Sequence, residues 1–249
     1  MSTTPLLDNV QDFLQRNPQT VVAATTVVAV AMVWMLDNYS KYISLGEGGL
    51  PCNAVGWLFS TLLKPFGRET VSTEEYDQDS NTDTWLGEIP ERRDARPPLG
   101  WHPIPHRQLA QVPDDAMKKK LQVLFDSIGK KNSTLVEYRV SPHEGHVPGI
   151  HIHSSISPPH EVARVSLLEI SHIHTPDHSL HVVLAPQDCK QVIEKGWGER
   201  HPFSGARRVI SLPKEYLMIY GPRDDEELAI IERILKAGVG YMTNCREVI

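Results

Sequence analysis

The sequence has few of the residues and motifs that mark common protein classes. Its three cysteines are far apart, so they predict neither a disulfide framework nor a thiolate zinc site. No G-x-S-x-G turn, glycine-rich phosphate loop or dinucleotide fingerprint occurs, which disfavours serine hydrolases of that type, P-loop enzymes and Rossmann oxidoreductases. Basic residues are scarce too: 25 Lys and Arg stand against 31 Asp and Glu, so no nucleic acid partner is expected.

A long uncharged run is present near the N-terminus. Residues 20–36, TVVAATTVVAVAMVWML, contain no charge, glycine or proline, and their length is close to the lower limit for a membrane-spanning helix. Trp34, Tyr39 and Tyr42 stand where aromatic side chains anchor such helices at the interface. A cleaved signal peptide would need a positive N-terminal region, which the two aspartates there oppose. We therefore predict an uncleaved single-pass anchor, with a buried soluble helix as the alternative.

The rest of the chain divides by composition. A tail, residues 1–19, precedes the anchor, and a membrane-proximal segment, residues 37–68, follows it with an apolar stretch too short to span. Residues 69–97 are acidic and then proline-rich, which predicts an unfolded linker. The compact domain is expected at residues 98–249. Basic residues after the anchor favour a cytosolic domain on an internal membrane.

The expected domain mixes helical and strand patterns without a regular βαβ repeat. Apolar residues recur at helical spacing in some segments and alternate as in strands in others. The predicted helices cover 116–128, 161–170, 187–195 and a segment from Asp224, with a strand as the alternative for 161–170. The predicted strands cover 134–140, 179–186 and a segment from Tyr216. A histidine-rich loop is expected at 143–160. The predicted fold is α+β, a single compact domain with a mixed sheet and covering helices.

Most of the twelve histidines follow His106, and four of them share the stretch EISHIHTPDHSLHVVL. His172 and His174 point to one side of an extended segment, and a turn at the Pro-Asp pair would bring His181 to the same side. With Glu169 nearby, the three imidazoles fit a transition-metal site or a metal-free site in which one histidine is a general base. The third interpretation is a rim of solvated histidines on an ordinary sheet.

A second polar motif, KGWGERHPFSG, covers residues 195–205. Its glycines allow a tight backbone path, and Glu199, Arg200 and His201 follow the end of a predicted helix. A helix C-cap and turn would explain the glycines and Trp197, but it leaves Glu199 and His201 unexplained. We therefore predict that His201 joins the earlier histidines.

Both motifs, followed in order by YGPRDDEEL and GVGYMTN, resemble the luciferases of luminous fungi and related luciferase-like domains of fungi and bacteria. DNYSKYISLGEGGLP and WLGEIPERRDARP are similar as well, so the resemblance covers nearly the whole chain. It implies an oxygenase of secondary metabolism that acts on a hydroxylated α-pyrone of the 3-hydroxyhispidin type. Molecular oxygen would be the co-substrate, and no organic cofactor would be needed.

In that family, oxygen adds to the pyrone, the peroxide loses carbon dioxide, and an excited product emits light. Such a site needs a base for the enolic hydroxyl and donors for the negative charge that develops. The candidate catalytic residues are His172, His174, His181, His201, Glu199 and Arg200, and a metal, if bound, would be held by His172, His174 and His181.

Two other functions stay open, because luciferase-like domains also occur in organisms that do not emit light. One is a non-luminous enzyme of the same fold that decarboxylates, isomerises or hydrolyses a related polyketide or phenolic metabolite. The other is a non-catalytic, membrane-anchored module that binds a small aromatic molecule.

Overall fold

The structure is a computed structural model that describes residues 12–206 and 210–249. The chain falls into two units, one ending at Ser44 and the other running from Leu45 to Ile249. Most of the predicted N-terminal tail, residues 1–11, lies outside the described residues.

The N-terminal unit contains one long helix, α1, over Pro18–Ser44. The predicted span of residues 20–36 lies inside it, and no glycine or proline interrupts the helix before Gly46. Thr25 and Thr26 donate their hydroxyls to carbonyls four residues earlier, at 2.8 and 2.9 Å, which satisfies them within the helix. Among the described residues, α1 is the one helix long and apolar enough to cross a membrane.

Several helices of the second unit follow a residue whose side chain caps them. Asn53, Asp114 and Asp224 each accept a hydrogen bond from a backbone N–H two or three residues further on, which satisfies donors of the first turn. Helices α2 to α7 cover, in order, Ala54–Leu63, Glu74–Asp77, Asp115–Lys131, Glu161–Val165, Pro186–Glu194 and Asp225–Thr243.

The described strands of the second unit form one six-stranded sheet. Strands β1 to β6 cover Val136–Val140, Pro148–Ile152, Glu169–Ile173, Leu180–Val183, Gly198–Arg200 and Tyr216–Ile219. Their order is β1-β2-β3-β4-β6-β5, and each of these pairings is antiparallel. The predicted α+β class is confirmed. The strand directions are antiparallel where the sequence predicts a mixed sheet, since consecutive strands such as β3 and β4 are joined by short turns.

The two faces of the sheet carry different side chains. One face is apolar and packs against α4, α6 and α7. Its most buried members, each at most 1% exposed, include Ile150, Ile152, Leu180, Val182 and Leu217. A Cβ atom at Gly238 would lie 2.8 Å from Val182, so the glycine lets α7 approach this face closely. The opposite face carries a row of paired residues across β3, β4 and β6: His172, His181 and Met218.

Residues 69–97, predicted to be an unfolded linker, pack on the domain instead. Three of their side chains are buried in the same core as the sheet: Tyr76, Leu86 and Ile89. Their backbone is satisfied by α6, since the Trp85 N–H donates to Asp188 at 2.8 Å. The compact unit therefore begins at Leu45 and not at residue 98. A few apolar side chains fix a segment whose average composition is polar.

Three local elements also differ from the sequence predictions. The expected loop at 143–160 contains β2, and the predicted helix over 161–170 ends at Val165, after which Leu167 and Leu168 take left-handed φ values of 57° and 68°. Helix α4 continues beyond its predicted end at residue 128, through Gly129 to Lys131. This glycine lies beneath the ring of Tyr138, where a larger side chain would clash.

Candidate active site

Two neighbouring strands bring the histidine-rich segment together. β3 and β4 pair so that His172 lies directly opposite His181. His174 follows the end of β3, and its backbone N–H donates to the carbonyl of Ser179 at 2.9 Å, which closes the turn. Three imidazoles that are separate in the sequence thus meet on one face of the sheet.

The three rings lie close to one another. Ring centroids are 5.2 Å apart for His172 and His174, 5.3 Å for His172 and His181, and 4.7 Å for His174 and His181. One nitrogen of each ring lies within 4.8 Å of the corresponding nitrogens of the other two. Two nitrogens bound to one ion at about 2.1 Å are up to about 4.2 Å apart, so small ring movements would suffice to share an ion.

Glu169 orients the ring of His172. Its carboxylate accepts a short hydrogen bond from Nδ1 of His172, and its other oxygen accepts the hydroxyl of Ser141 at 2.8 Å. Both Glu169 and His172 are buried. A carboxylate without a proton can only accept, so His172 carries its proton on Nδ1.

The other two rings are oriented in the same way. Nδ1 of His174 lies 2.8 Å from Oγ of Ser179, whose hydroxyl donates to Asp177 at 2.7 Å, so the serine oxygen accepts from the histidine. Nδ1 of His181 donates to the backbone carbonyl of Leu217 at 3.1 Å. The lone pairs of both rings are therefore on Nε2.

Further rings extend the cluster. His106 is stacked on His181 with centroids 5.8 Å apart, and it meets His201 edge-on at 5.0 Å. The ring of Tyr216 also stacks on His181, with the two centroids 4.4 Å apart. The second sequence motif thus contributes His201 to the same cluster as the first motif.

A cavity of about 250 Å³ opens beside these rings. Its apolar lining includes Leu50, Leu63, Ile104, Ile210 and Leu212. Its polar lining includes His106, Arg107, His143, Glu144, His172, His181, His201 and Tyr216. Arg107 and Glu144 form a buried ion pair, and the same guanidinium donates to the carbonyl of Glu47 at 2.6 Å. The cavity therefore combines an apolar wall, several imidazoles and one buried ion pair.

Burial keeps most of these imidazoles uncharged. Desolvation lowers the pKa of His106, His174 and His181 well below 6.5, and neighbouring imidazoles lower it further. The same cause lowers the pKa of His201 to about 3. Burial raises the pKa of Tyr216 well above 10. At neutral pH these groups are available as neutral donors or acceptors.

Glu169 behaves differently. Burial raises its pKa, but the electrostatic attraction of the His172 ring and the hydrogen bonds donated by His172 and Ser141 outweigh this effect, so the pKa lies below the usual value for glutamate. The site therefore holds an ionised carboxylate behind its imidazoles, in addition to the Arg107–Glu144 ion pair.

The remaining predicted residues lie elsewhere. Glu199 lines a neighbouring cavity of about 300 Å³ and accepts the hydroxyl of Tyr220 at 2.6 Å. Arg200 pairs with Leu217 on the helix-covered side and forms ion pairs with Glu69 and Glu75. Arg200 thus holds the 69–97 segment against the domain. The guanidinium that lines the histidine cavity belongs to Arg107 instead.

Several cavity residues were not singled out from the sequence. His106 and Arg107 come from the loop before α4, and His143 and Glu144 come from the loop before β2. The signal that could have indicated them is the concentration of histidine in the chain. Loops carry no periodicity that would have shown where these side chains point.

The chain is similar over most of its length to fungal luciferases. It is 34% identical over 232 residues to a luciferase from Armillaria ostoyae, covering 89% of this chain and 86% of the relative. It is 29% identical over 254 residues to a luciferase from Neonothopanus nambi, covering 98% and 94%. A family model described as Luciferase domain matches residues 168–238. No solved structure matches the chain.

The matched region contains β3, β4 and the second motif, and hence His172, His174, His181 and His201. The α+β domain that carries these residues is luciferase-like by this match. The chain belongs to the fungal luciferase family, which confirms the resemblance seen in the sequence.

Proposed function

We propose that the protein is an oxygen-dependent enzyme that acts in the histidine cavity on a hydroxylated α-pyrone of the 3-hydroxyhispidin type, or on a related polyketide or phenolic metabolite. The observation that carries this proposal is a largely apolar cavity walled by neutral imidazoles and one buried guanidinium. Small-molecule sites commonly measure about 300–1,000 Å³. This cavity, at about 250 Å³, is slightly smaller than that range, so it suits a compact aromatic substrate. Membership of the luciferase family supports the same reaction class.

His106 is the imidazole best arranged to accept the enolic proton. It lines the cavity, and its Nδ1 has no hydrogen-bond partner within the described part of the chain. Its lowered pKa makes it a weak base by itself. An enolate formed beside the ring stabilises the resulting imidazolium, because opposite charges attract strongly where little water is present. Arg107 and the hydroxyl of Tyr216 are the donors for negative charge on the enolate and on a peroxide.

The reaction balances without an external electron donor. Dioxygen forms bonds to carbon in the enolate, which gives a cyclic peroxide that keeps both oxygen atoms. The O–O bond breaks as one carbon leaves with two oxygens as carbon dioxide. The electrons that reduce the O–O bond come from the pyrone, and the proton held by His106 returns to the product. Light follows where the product forms in an excited state, and we expect no organic cofactor.

The test uses the purified full chain in detergent micelles with a hydroxypyrone in air. Oxygen uptake, carbon dioxide, light and product mass are measured together. We expect His106→Phe to lower turnover by about 10²–10⁴-fold, the usual contribution of a general base. The matched control is His153→Ala, since this half-buried histidine makes its hydrogen bond to Ser155 away from the cavity lining.

Three outcomes would contradict the proposal. Product formed equally under nitrogen would favour a decarboxylase, isomerase or hydrolase of the same fold. Saturable pyrone binding without any product would favour a binding module. Full activity in His106→Phe would remove His106 as the base.

The proposal also places the enzyme at a membrane, with α1 as a single-pass anchor and the domain on the cytosolic side. A second feature supports this location. α2 exposes Val55, Leu58, Phe59 and Leu62, each between 49% and 59% exposed, at the spacing of one helical face. Such a face is suited to the boundary between lipid headgroups and acyl chains.

Vesicle flotation of a chain beginning at residue 45 tests this surface apart from α1. We expect binding to vesicles, and loss of binding in Leu58→Glu/Phe59→Glu. Val123→Glu is the control, because Val123 is more exposed than either residue but belongs to α4. Equal binding by both variants would contradict the interfacial role of α2. In sealed microsomes, protection of the domain of the full chain from added protease would contradict the cytosolic orientation.

A further inference from the structure

We propose that His172, His174 and His181 bind one divalent transition-metal ion through their Nε2 atoms. The inference goes beyond the proposed reaction and does not depend on it, because metal binding can be measured without a substrate.

The first observation is the set of unused lone pairs. Nε2 of His172 and Nε2 of His174 are buried, and neither has a hydrogen-bond partner among the residues that the structure describes. A buried polar atom without a partner is unfavourable, because it has lost its hydrogen bond to water and gained none in the protein. Two such atoms lie in one cluster, with a third ring nitrogen within 4.8 Å. One bound ion would give all three nitrogens a partner.

The second observation is the set of acceptors behind the rings. Each Nδ1 faces an oxygen: the carboxylate of Glu169, the hydroxyl of Ser179, or the carbonyl of Leu217. Histidines that bind metals nearly always donate their other ring N–H to such a group, which fixes the tautomer and turns the free lone pair toward the ion. A purely structural cluster would not require all three rings to donate outward.

A second group of nitrogens, from His106, His181 and His201, is close enough to be considered. It is less suitable, because Nδ1 of His201 accepts the backbone N–H of Phe203 at 3.1 Å. A neutral ring that accepts at Nδ1 carries its proton on Nε2, so His201 has no free lone pair for an ion. The donor pattern therefore selects His172, His174 and His181.

The ligand set also indicates the class of metal. Three imidazole ligands without a thiolate suit Fe²⁺, Co²⁺, Ni²⁺, Cu²⁺ or Zn²⁺ better than the oxygen-preferring Mg²⁺ and Ca²⁺. His172 and His181 line the cavity, whereas His174 is not part of its lining. Coordination positions left open by three protein ligands would therefore be reached from the cavity side.

The test measures metal in the purified full chain. Elemental analysis before and after incubation with Fe²⁺, Co²⁺ or Zn²⁺ should give about one ion per chain. Co²⁺ should show visible absorption bands of nitrogen ligation. We expect His174→Ala to lose the ion and the bands. Since His174 does not line the cavity, substrate binding by this variant can be followed separately.

His178→Ala is the matched control, because His178 belongs to the same turn but to neither group of facing nitrogens. It should keep full stoichiometry. Ser179→Ala, which leaves all three ligands in place, should bind the ion about 10–100-fold more weakly. Circular dichroism checks that each variant folds. If His174→Ala does not fold, the metal affinity of Ser179→Ala and the Co²⁺ spectrum of the wild type test the metal site instead.

No bound ion in the wild-type chain after incubation, or full stoichiometry in folded His174→Ala, would overturn the metal site. The proposed function fails separately, if a chain that holds its metal takes up no oxygen with any hydroxypyrone.

Discussion

The two faces of the sheet are equally buried but chemically opposite. Leu180 and His181 are consecutive residues of β4, yet one packs among apolar side chains under the helices and the other among imidazoles. Apolar burial stabilises the fold, whereas a buried polar group at best recovers the hydrogen bonds that it lost to water. The helix-covered face therefore stabilises the fold, and the buried polar groups of the histidine face offset part of that stability.

The coverings of the two faces differ too. Amphipathic helices α4, α6 and α7 cover the apolar face, and loops line the histidine cavity, among them residues 48–50, 104–107 and 142–144. Loops can place charged and ring side chains without having to supply a continuous apolar stripe. The difference shows where binding and chemistry are built into this fold.

The largest predicted effect comes from deleting the N-terminal part of the domain. A chain that begins at residue 98 loses Tyr76, Leu86 and Ile89 from the core, together with Leu50 and Leu63 from the cavity. We expect it to be insoluble or to lack cooperative unfolding. A chain that begins at residue 45 should unfold cooperatively. Cooperative thermal unfolding of the shorter chain would show that residues 45–97 are dispensable, as the composition alone suggested.

A pair of substitutions on adjacent residues compares the two faces directly. We expect Leu180→Ala to lower the free energy of unfolding by about 2–5 kcal/mol, because it leaves a cavity in the apolar core. His181→Phe should change it by about 1 kcal/mol at most, since it removes one hydrogen bond and keeps the stacked ring. The second variant should nevertheless lose the metal ion.

Urea unfolding and elemental analysis of both variants test this contrast. A similar loss of stability in both would mean that the histidine face contributes to the fold as much as the apolar face does.

Glu169→Gln should have a smaller effect, confined to the histidine face. Gln keeps the size of the side chain but removes the charge that orients His172. We expect metal affinity to fall by about 10–100-fold, with little change in unfolding. Metal titration followed by Co²⁺ absorption measures this. An unchanged affinity would show that the carboxylate does not support the proposed metal site.

The grouping of His172, His174 and His181 could be predicted because these residues are close together in the sequence. The i, i+2 spacing of His172 and His174 and the short turn before His181 fix their common face without knowledge of the rest of the fold. Helices α4 and α7 could be predicted for the same reason, because the apolar spacing and the capping aspartate of each helix lie within one continuous segment.

The other contributions depend on contacts between distant segments. His106 and Arg107 reach the cavity from about 65 to 75 residues before β3 and β4, and Arg200 faces away because strand pairing puts it beside Leu217. Tyr76 and Ile89 look like parts of a linker until the groove that receives them is known. Neither composition nor periodicity carries that information.

The smallest predicted effect compares two buried carboxyl groups. Glu169 has a histidine partner and a lowered pKa, whereas Asp188, which packs against the 69–97 segment, has no cation at hydrogen-bond distance in the described chain, and burial raises its pKa to about 6. The folded state therefore binds an extra proton between about pH 4 and pH 6, so the free energy of unfolding falls as the pH rises through that range.

Asp188→Asn removes this titration and keeps an acceptor for Trp85. The difference in Tm between wild type and variant should change by a few degrees between pH 4 and pH 7, since 1 kcal/mol corresponds to about 2–4 °C in a domain of this size. The wild type should lose stability relative to the variant as the pH rises. A difference that is constant over this range would mean that Asp188 stays ionised in the folded state, and that the helix-covered side tolerates a buried charge as the histidine face does.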